Sequence, residues 1–388
     1  MNKPILLTFS VLVSGLILQL PQAVTAQVLS PERQPLLRQT MPMLPVQLAQ
    51  ASQSQQQQQE VTRQVNALLR QGKELVDARN YAEAVGVYQQ AAGLEPDNAR
   101  IFSAIGFVQA QQENFPAAVV AYRQAIALDN DNAAFYYALG FCLANTGDNR
   151  AAADSYRRAT TLDPNNIDAQ VGLGAVLSRL QDYDGALVAY RRAVALRPTG
   201  NGRILESLGT VLLQAERYDE AVQILTQAAD ISPRRALIHV NLGVALVNLG
   251  QTQAGLDALR RAATLEPRNA QIHLQLGDVY RAQGNLPQAI SSYQRAAYAQ
   301  PDLVEAHVIL GELLMQQEDY LQAAIVYRQL VTLSPTDANA YYNLGVALNE
   351  RRREPEAIAA LESALQLYQQ QGNTEGAEKT EDLIDDLD

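Results

Sequence analysis

The chain has no tryptophan and one cysteine, Cys142, in 388 residues. A lone thiol closes no internal disulfide, so no disulfide framework holds the fold. Histidine is limited to His239, His273 and His307, and lysine to Lys3, Lys73 and Lys379. Arginine carries nearly all the basic charge, yet 41 acidic residues outnumber the basic ones and leave a formal net charge of −11. Nucleic-acid backbones are bound by net basic surfaces, so nucleic acid is not an expected partner. There is also no Gly-rich phosphate loop, no HExxH pair and no nucleophile elbow. No enzyme, catalytic residue, metal site or cofactor is therefore expected.

Long apolar runs are absent except at the start. Lys3 precedes a largely apolar stretch from Ile5 to Leu20, followed by small Val24 and Ala26 before Gln27. Residues 1–26 read as a secretory signal peptide. The expected location is the periplasm, a thylakoid lumen or the cell envelope, with no membrane insertion after cleavage. An uncleaved inner-membrane anchor is the competing reading, although the run falls short of the roughly 20 residues that span a bilayer. Residues 27–60, rich in Pro and Gln, are expected to be a disordered linker.

What is abundant is repetition. Pro164, Pro198, Pro233, Pro267, Pro301 and Pro335 recur every 34 residues, once every 35. Nine repeats fit this period, starting at residues 65, 99, 133, 167, 202, 236, 270, 304 and 338. Position 8 is Gly in all nine, from Gly72 to Gly345. Positions 20 and 27 are Ala in all but one repeat each, with exceptions at Gly255 and Leu330. Position 24 is Tyr in six (Tyr88, Tyr122, Tyr156, Tyr190, Tyr293, Tyr327) and Leu in three. Positions 4, 7, 8 and 11 share one helical face, and positions 20, 24 and 27 share another. Glycine in a helix costs about 1 kcal/mol against alanine, so nine such glycines demand a packing reason. The expected reason is a close approach of two helices, with the residue at 24 filling the gap.

The columns G8, A20, Y24, A27 and P32, as in LGAVLSRLQDYDGALVAYRRAVALRP (173–198), resemble the tetratricopeptide repeat family over about residues 65–371. The resemblance implies an all-α fold: a right-handed α-solenoid of nine helix-turn-helix units. The solenoid is taken as 61–371, with 372–388 as an acidic capping helix. The family's frequent Trp at position 4 is missing; the three histidines stand there in consecutive repeats. One inserted residue, in RPTGNGRI (197–204), interrupts the period.

In this family, positions 2, 5, 9, 12 and 13 line a concave groove. Carried over column by column, they give candidate partner-binding residues Leu69, Phe107, Tyr137, Phe141, Val171, Val240, Val244, Asn248, Asp278, Arg281, Glu312, Tyr342 and Asn349. The face is apolar and aromatic early and more acidic late. It would suit a protein or peptide segment with an apolar stretch and a basic end. The family's carboxylate-clamp pattern fails, since Lys73 sits at position 9. Its asparagine ladder also fails, since only Asn241 and Asn343 occupy position 6. Arginines late in the second helices (Arg123, Arg157, Arg158, Arg191, Arg192, Arg260, Arg261, Arg295, Arg328) form a separate row. The expected function is a non-catalytic interaction scaffold for assembly or organisation of envelope proteins. The alternatives are an accessory subunit of a separate enzyme, such as a glycosyltransferase, or an assembly factor for photosynthetic complexes. Oligomeric state is left open.

Overall fold

The computed structural model describes residues 45–197 and 201–387. Among them are 19 helices and no strand. The signal expectation, residues 27–44 of the linker and the inserted Gly200 lie outside the described residues.

Nine pairs of helices follow one another along the sequence. They are α1 (Pro45–Asp77) with α2 (Tyr81–Leu94), α3 (Ala99–Gln111) with α4 (Phe115–Leu128), and α5 (Ala133–Asn145) with α6 (Asn149–Leu162). Then come α7 (Ile167–Arg179) with α8 (Tyr183–Leu196), α9 (Gly202–Gln214) with α10 (Tyr218–Ile231), and α11 (Ala236–Asn248) with α12 (Thr252–Leu265). The last are α13 (Ala270–Ala282) with α14 (Leu286–Ala299), α15 (Val304–Gln316) with α16 (Tyr320–Leu333), and α17 (Ala338–Glu350) with α18 (Glu354–Gln371). A final helix, α19 (Thr374–Asp385), follows. From the second repeat on, every first helix starts at the residue where the period placed a repeat boundary. The chain forms two compact halves, one ending at Ala215 and the other beginning at Glu216. In each half, consecutive helices pack as neighbours.

The glycine column is explained by contact. A Cβ built on Gly106 would lie 2.9 Å from the Tyr122 ring, on Gly174 2.7 Å from Tyr190, on Gly277 2.7 Å from Tyr293 and on Gly311 2.8 Å from Tyr327. Where Leu replaces Tyr, the geometry persists: Gly243 against Leu259 at 2.7 Å and Gly345 against Leu361 at 2.5 Å. The position-24 side chain thus lies flat on a bare stretch of the first helix. Alanines at 20 and 27, fully buried in every repeat that has them, bring the second helix close enough for this. In the sixth repeat position 20 is Gly255, whose Cβ would meet Val247 at 2.6 Å and the Gly243 carbonyl at 2.9 Å. That hairpin therefore brings backbone against backbone.

Each helix has a defined start and stop. Asn98, Asn132, Asn166, Asn269 and Asp337 cap first helices, accepting from backbone N–H groups two or three residues on. Asn114, Asp148, Asp182, Asn285 and Asp319 do the same for second helices. Every first helix ends two residues before a left-handed residue, which stands at position 15 of all nine repeats. Three of these residues are Gly (Gly147, Gly250, Gly284), but six are not: Arg79, Glu113, Gln181, Glu216, Glu318 and Arg352, with φ between 55° and 62°.

The linker expectation needs correction in residues 45–60, where α1 is already helical. Glutamine is a good helix former, and a helix nucleated by the packed Val61, Val65 and Leu69 propagates backwards cheaply. At the other end, α19 does fold over the last hairpin. The Tyr368 hydroxyl donates to Asn339 Oδ1 at 2.6 Å, and Gly376 abuts the Tyr368 ring as Gly172 abuts Tyr156. Its acids Glu375, Glu378, Glu381 and Asp382 face water.

Glycine should therefore have opposite value at positions 8 and 15 of the repeat. Gly277→Ala forces its Cβ into Tyr293 and should destabilise the C-terminal half by about 1–3 kcal/mol despite its better helix propensity. Glu318→Gly relieves a left-handed residue and should stabilise the same half by up to about 1 kcal/mol. Thermal and urea unfolding followed by circular dichroism would show the two shifts.

Candidate functional site

In the seventh repeat the position-24 hydroxyl, that of Tyr293, reaches past the glycine to position 9 of the same first helix, where it donates to Asp278 Oδ1 at 2.7 Å. Arg281 approaches the same carboxylate at 3.6 Å. Burial holds the Asp278 carboxyl above the ordinary carboxylate range, against the opposing pull of Tyr293 and Arg281. Burial and then Asp278 drive the Tyr293 hydroxyl up. The buried hydroxyls of Tyr122 and Tyr156, with Phe107 and Phe141 at position 9, have no partner, and the Tyr327 hydroxyl has none either, although Glu312 stands at position 9 of its repeat.

The predicted groove residues separate into two groups. Leu69, Tyr137, Phe141 and Val244 are buried in the core, which corrects their assignment as accessible partner contacts. The reason is packing both within and between repeats. Phe141 meets Phe115 of the preceding repeat edge-on at 6.0 Å, and Tyr137 tilts against Tyr156 of its own repeat at 5.9 Å. Phe107, Val171, Val240, Asn248, Asp278, Tyr342 and Asn349 are half-buried, and Arg281 and Glu312 are exposed. Asn248 turns its amide back to the Val244 carbonyl at 2.9 Å. Tyr342 is covered on one face by the Lys379 ammonium of α19, 4.7 Å from the ring centroid.

The accessible stretch that sequence reasoning underweighted lies on α15. Glu305, Val308, Glu312 and Met315 occupy positions 2, 5, 9 and 12, and their 3–4–3 spacing places them in one stripe. Val308 and Met315 pack partly on the core, while both glutamates are exposed. Neither glutamate has an ion-pair partner among the described residues.

The histidine row has a structural task. Nε2 of His239, His273 and His307 pairs with the carbonyl oxygens of Pro233, Pro267 and Pro301 at 3.0, 2.9 and 2.9 Å. Since a carbonyl only accepts, Nε2 carries the proton, and each ring ties the turn before its repeat to the first helix. Nδ1 of His273 and of His307 is buried without a partner. Several of the arginines are ties as well. Arg260 donates to the Tyr280 hydroxyl from Nε at 3.0 Å and Nη2 at 2.8 Å. Arg328 donates to Glu356 at 2.6 Å, and Arg158 stacks over Tyr136 at 5.8 Å. Cys142 is buried, and burial pushes its thiol up to about 12.

Repeated glycine, alanine and tyrosine columns on stacked helical hairpins define a repeat protein of the tetratricopeptide type. Models described as tetratricopeptide or TPR repeat match 72–113, 110–147, 133–166, 165–234, 212–258, 240–304, 293–338 and 310–372, an unbroken cover from 72 to 372. The chain belongs to the tetratricopeptide repeat family. A TPR repeat-containing protein of Picosynechococcus sp. is 52% identical over 48 residues, 12% of this chain and 12% of that one. The chain thus matches about one eighth of that relative's length. The crystal structure of YrrB, a TPR protein described as having an unusual peptide-binding site, is 24% identical. It covers 48% of this chain and 96% of its own, at a TM-score of 0.42. The C-terminal part of a TPR repeat-containing protein from Cytophaga hutchinsonii is 15% identical, covering 71% of this chain and 99% of its own at a TM-score of 0.48.

Two outcomes follow. A carboxyl raised in the fold keeps a proton that the unfolded chain releases, so stability falls as pH rises from the ordinary carboxylate value through the raised one. Asp278→Asn still accepts from Tyr293 and should melt higher than wild type at pH 7. The difference should close below about pH 4, as read by thermal unfolding across pH. The Cys142 thiol stays protonated, so a chromogenic disulfide reagent should react with it only after denaturant is added.

Proposed function

We propose that the chain is a non-catalytic scaffold that holds a peptide segment of a partner protein along the first helices of its C-terminal half. The observation that carries this is the α15 stripe, in which exposed Glu305 and Glu312 alternate with half-buried Val308 and Met315. Unpaired acids beside partly exposed apolar side chains suit a segment that alternates apolar residues with Lys or Arg. Asp278 and Arg281 on the preceding first helix extend the polar side of the stripe. The signal-like start of the sequence supports an exported compartment as the place of this work, and assembly of envelope proteins as its purpose.

The test is direct. An array of amphipathic basic peptides probed with the full chain should yield binders whose affinity falls as salt is raised. The double variant Glu305→Lys, Glu312→Lys should weaken them at least about tenfold while leaving the melting curve unchanged. Equal binding by wild type and variant would overturn the reading.

A further inference from the structure

Position 5 of the first helices is aliphatic in the sixth, seventh and eighth repeats, at Val240, Leu274 and Val308, and aromatic in the ninth, at Tyr342. Tyr342 is half-buried on α17, the first helix that follows α15. It packs partly against Ala338, Ala364 and Tyr368, which fixes the ring. α15 and α17 share one core through Leu313, Leu314, Leu344 and Ala347. Equivalent positions keep one face from repeat to repeat, so the ring continues the line of side chains that Val308, Glu312 and Met315 begin.

The chain itself supplies a cation to this ring. Lys379, the only lysine of the C-terminal half, holds its ammonium 4.7 Å from the Tyr342 centroid. Its own helix offers acids at pairing distance along the sequence, Glu375 four residues before it and Asp382 three after. Lys73 takes that course with Asp77, at 2.6 Å. Lys379 makes no ion pair and no hydrogen bond among the described residues and meets the ring instead. The ring is thus a cation site, and its occupant is an exposed side chain held there by that one contact.

We propose that the Tyr342 ring is a cation subsite for a Lys or Arg side chain of the partner segment, and that Lys379 holds it until the segment displaces it. This rests on the reading of the α15 stripe as a peptide site. A ring face attracts ammonium and guanidinium groups alike, so a partner's basic residue and Lys379 compete for the same surface. A segment that crosses from α15 to α17 carries its basic side chains from exposed Glu312 to this ring. Lysine has a flexible four-carbon stem, so Lys379 leaves by rotation of its side chain alone. α19 stays packed meanwhile through buried Thr380.

The experiment measures, by fluorescence anisotropy, binding of the full chain to a labelled peptide that alternates leucine with arginine. It is run at about 0.15 M salt, where the distant effect of removing one charge is screened. Lys379→Met removes the competitor and should tighten binding about two- to fivefold, the factor a surface cation–ring contact is worth. Tyr342→Phe keeps a ring and should keep that gain, and Tyr342→Leu should abolish it. Lys379→Met alters an exposed side chain and keeps the fold, so the first comparison stands whether or not Tyr342→Leu folds. Equal affinity of wild type and Lys379→Met, or an undiminished gain with Tyr342→Leu, overturns the proposal alone when the peptide still responds to Glu305→Lys, Glu312→Lys. No binding, or binding indifferent to those two glutamates, overturns the stripe reading and this one with it.

Discussion

Everything in this molecule depends on one contact: a large side chain at position 24 lying flat against a helix that has no side chain at position 8. The ring cannot move closer, because the glycine backbone already sits beneath it. It cannot move away, because the buried alanines at 20 and 27 hold the second helix down. Glycine's poor helix propensity is thus the cost of close packing, about 1 kcal/mol per repeat. Burial of a tyrosine or leucine, worth on the order of 2 kcal/mol, outweighs it. Repetition then stacks hairpins whose exposed faces each need the next hairpin, which is why neighbouring repeats share their cores.

The same ring connects packing to surface chemistry. In the seventh repeat it carries a hydroxyl to position 9. Asp278 accepts the hydrogen bond from Tyr293, and burial makes its carboxyl a weaker acid. Phe107 and Phe141 offer nothing, and the hydroxyls of Tyr122 and Tyr156 stay unpaired inside. A buried unpaired hydroxyl is destabilising by about 1–3 kcal/mol. Tyr327 in the C-terminal half bears the same loss, since the exposed Glu312 at its position 9 does not accept from it.

Much of this was legible in the sequence, and the reason is periodicity. Repeat boundaries at 99, 133, 167, 202, 236, 270, 304 and 338 coincide with the first residues of eight helices. The glycine column announced close approach, because nothing else explains so many glycines in helices. The site was less legible. Position in a repeat says which way a side chain points, but not what covers it. Tyr137 is covered by Tyr156 of its own repeat, and Phe141 by Phe115 of the repeat before. The role of the histidines was hidden for a similar reason, since their partners are backbone carbonyls that carry no residue signature. The left-handed residue at position 15 left no trace either, because Arg, Glu and Gln occupy it in six repeats and Gly in only three, and geometry alone imposes it.

That last feature bears on how such a chain changes length. The backbone reversal at position 15 is set by how two helices meet, and Arg, Glu, Gln and Gly all serve there. A deletion or duplication of 34 residues can therefore begin anywhere within a repeat and still rejoin compatible ends, with no special junction to rebuild. A single residue lost inside a helix has no such tolerance, since it rotates the glycine away from its ring. Growth by whole repeats is open to this architecture, and drift by single residues is confined to the turns.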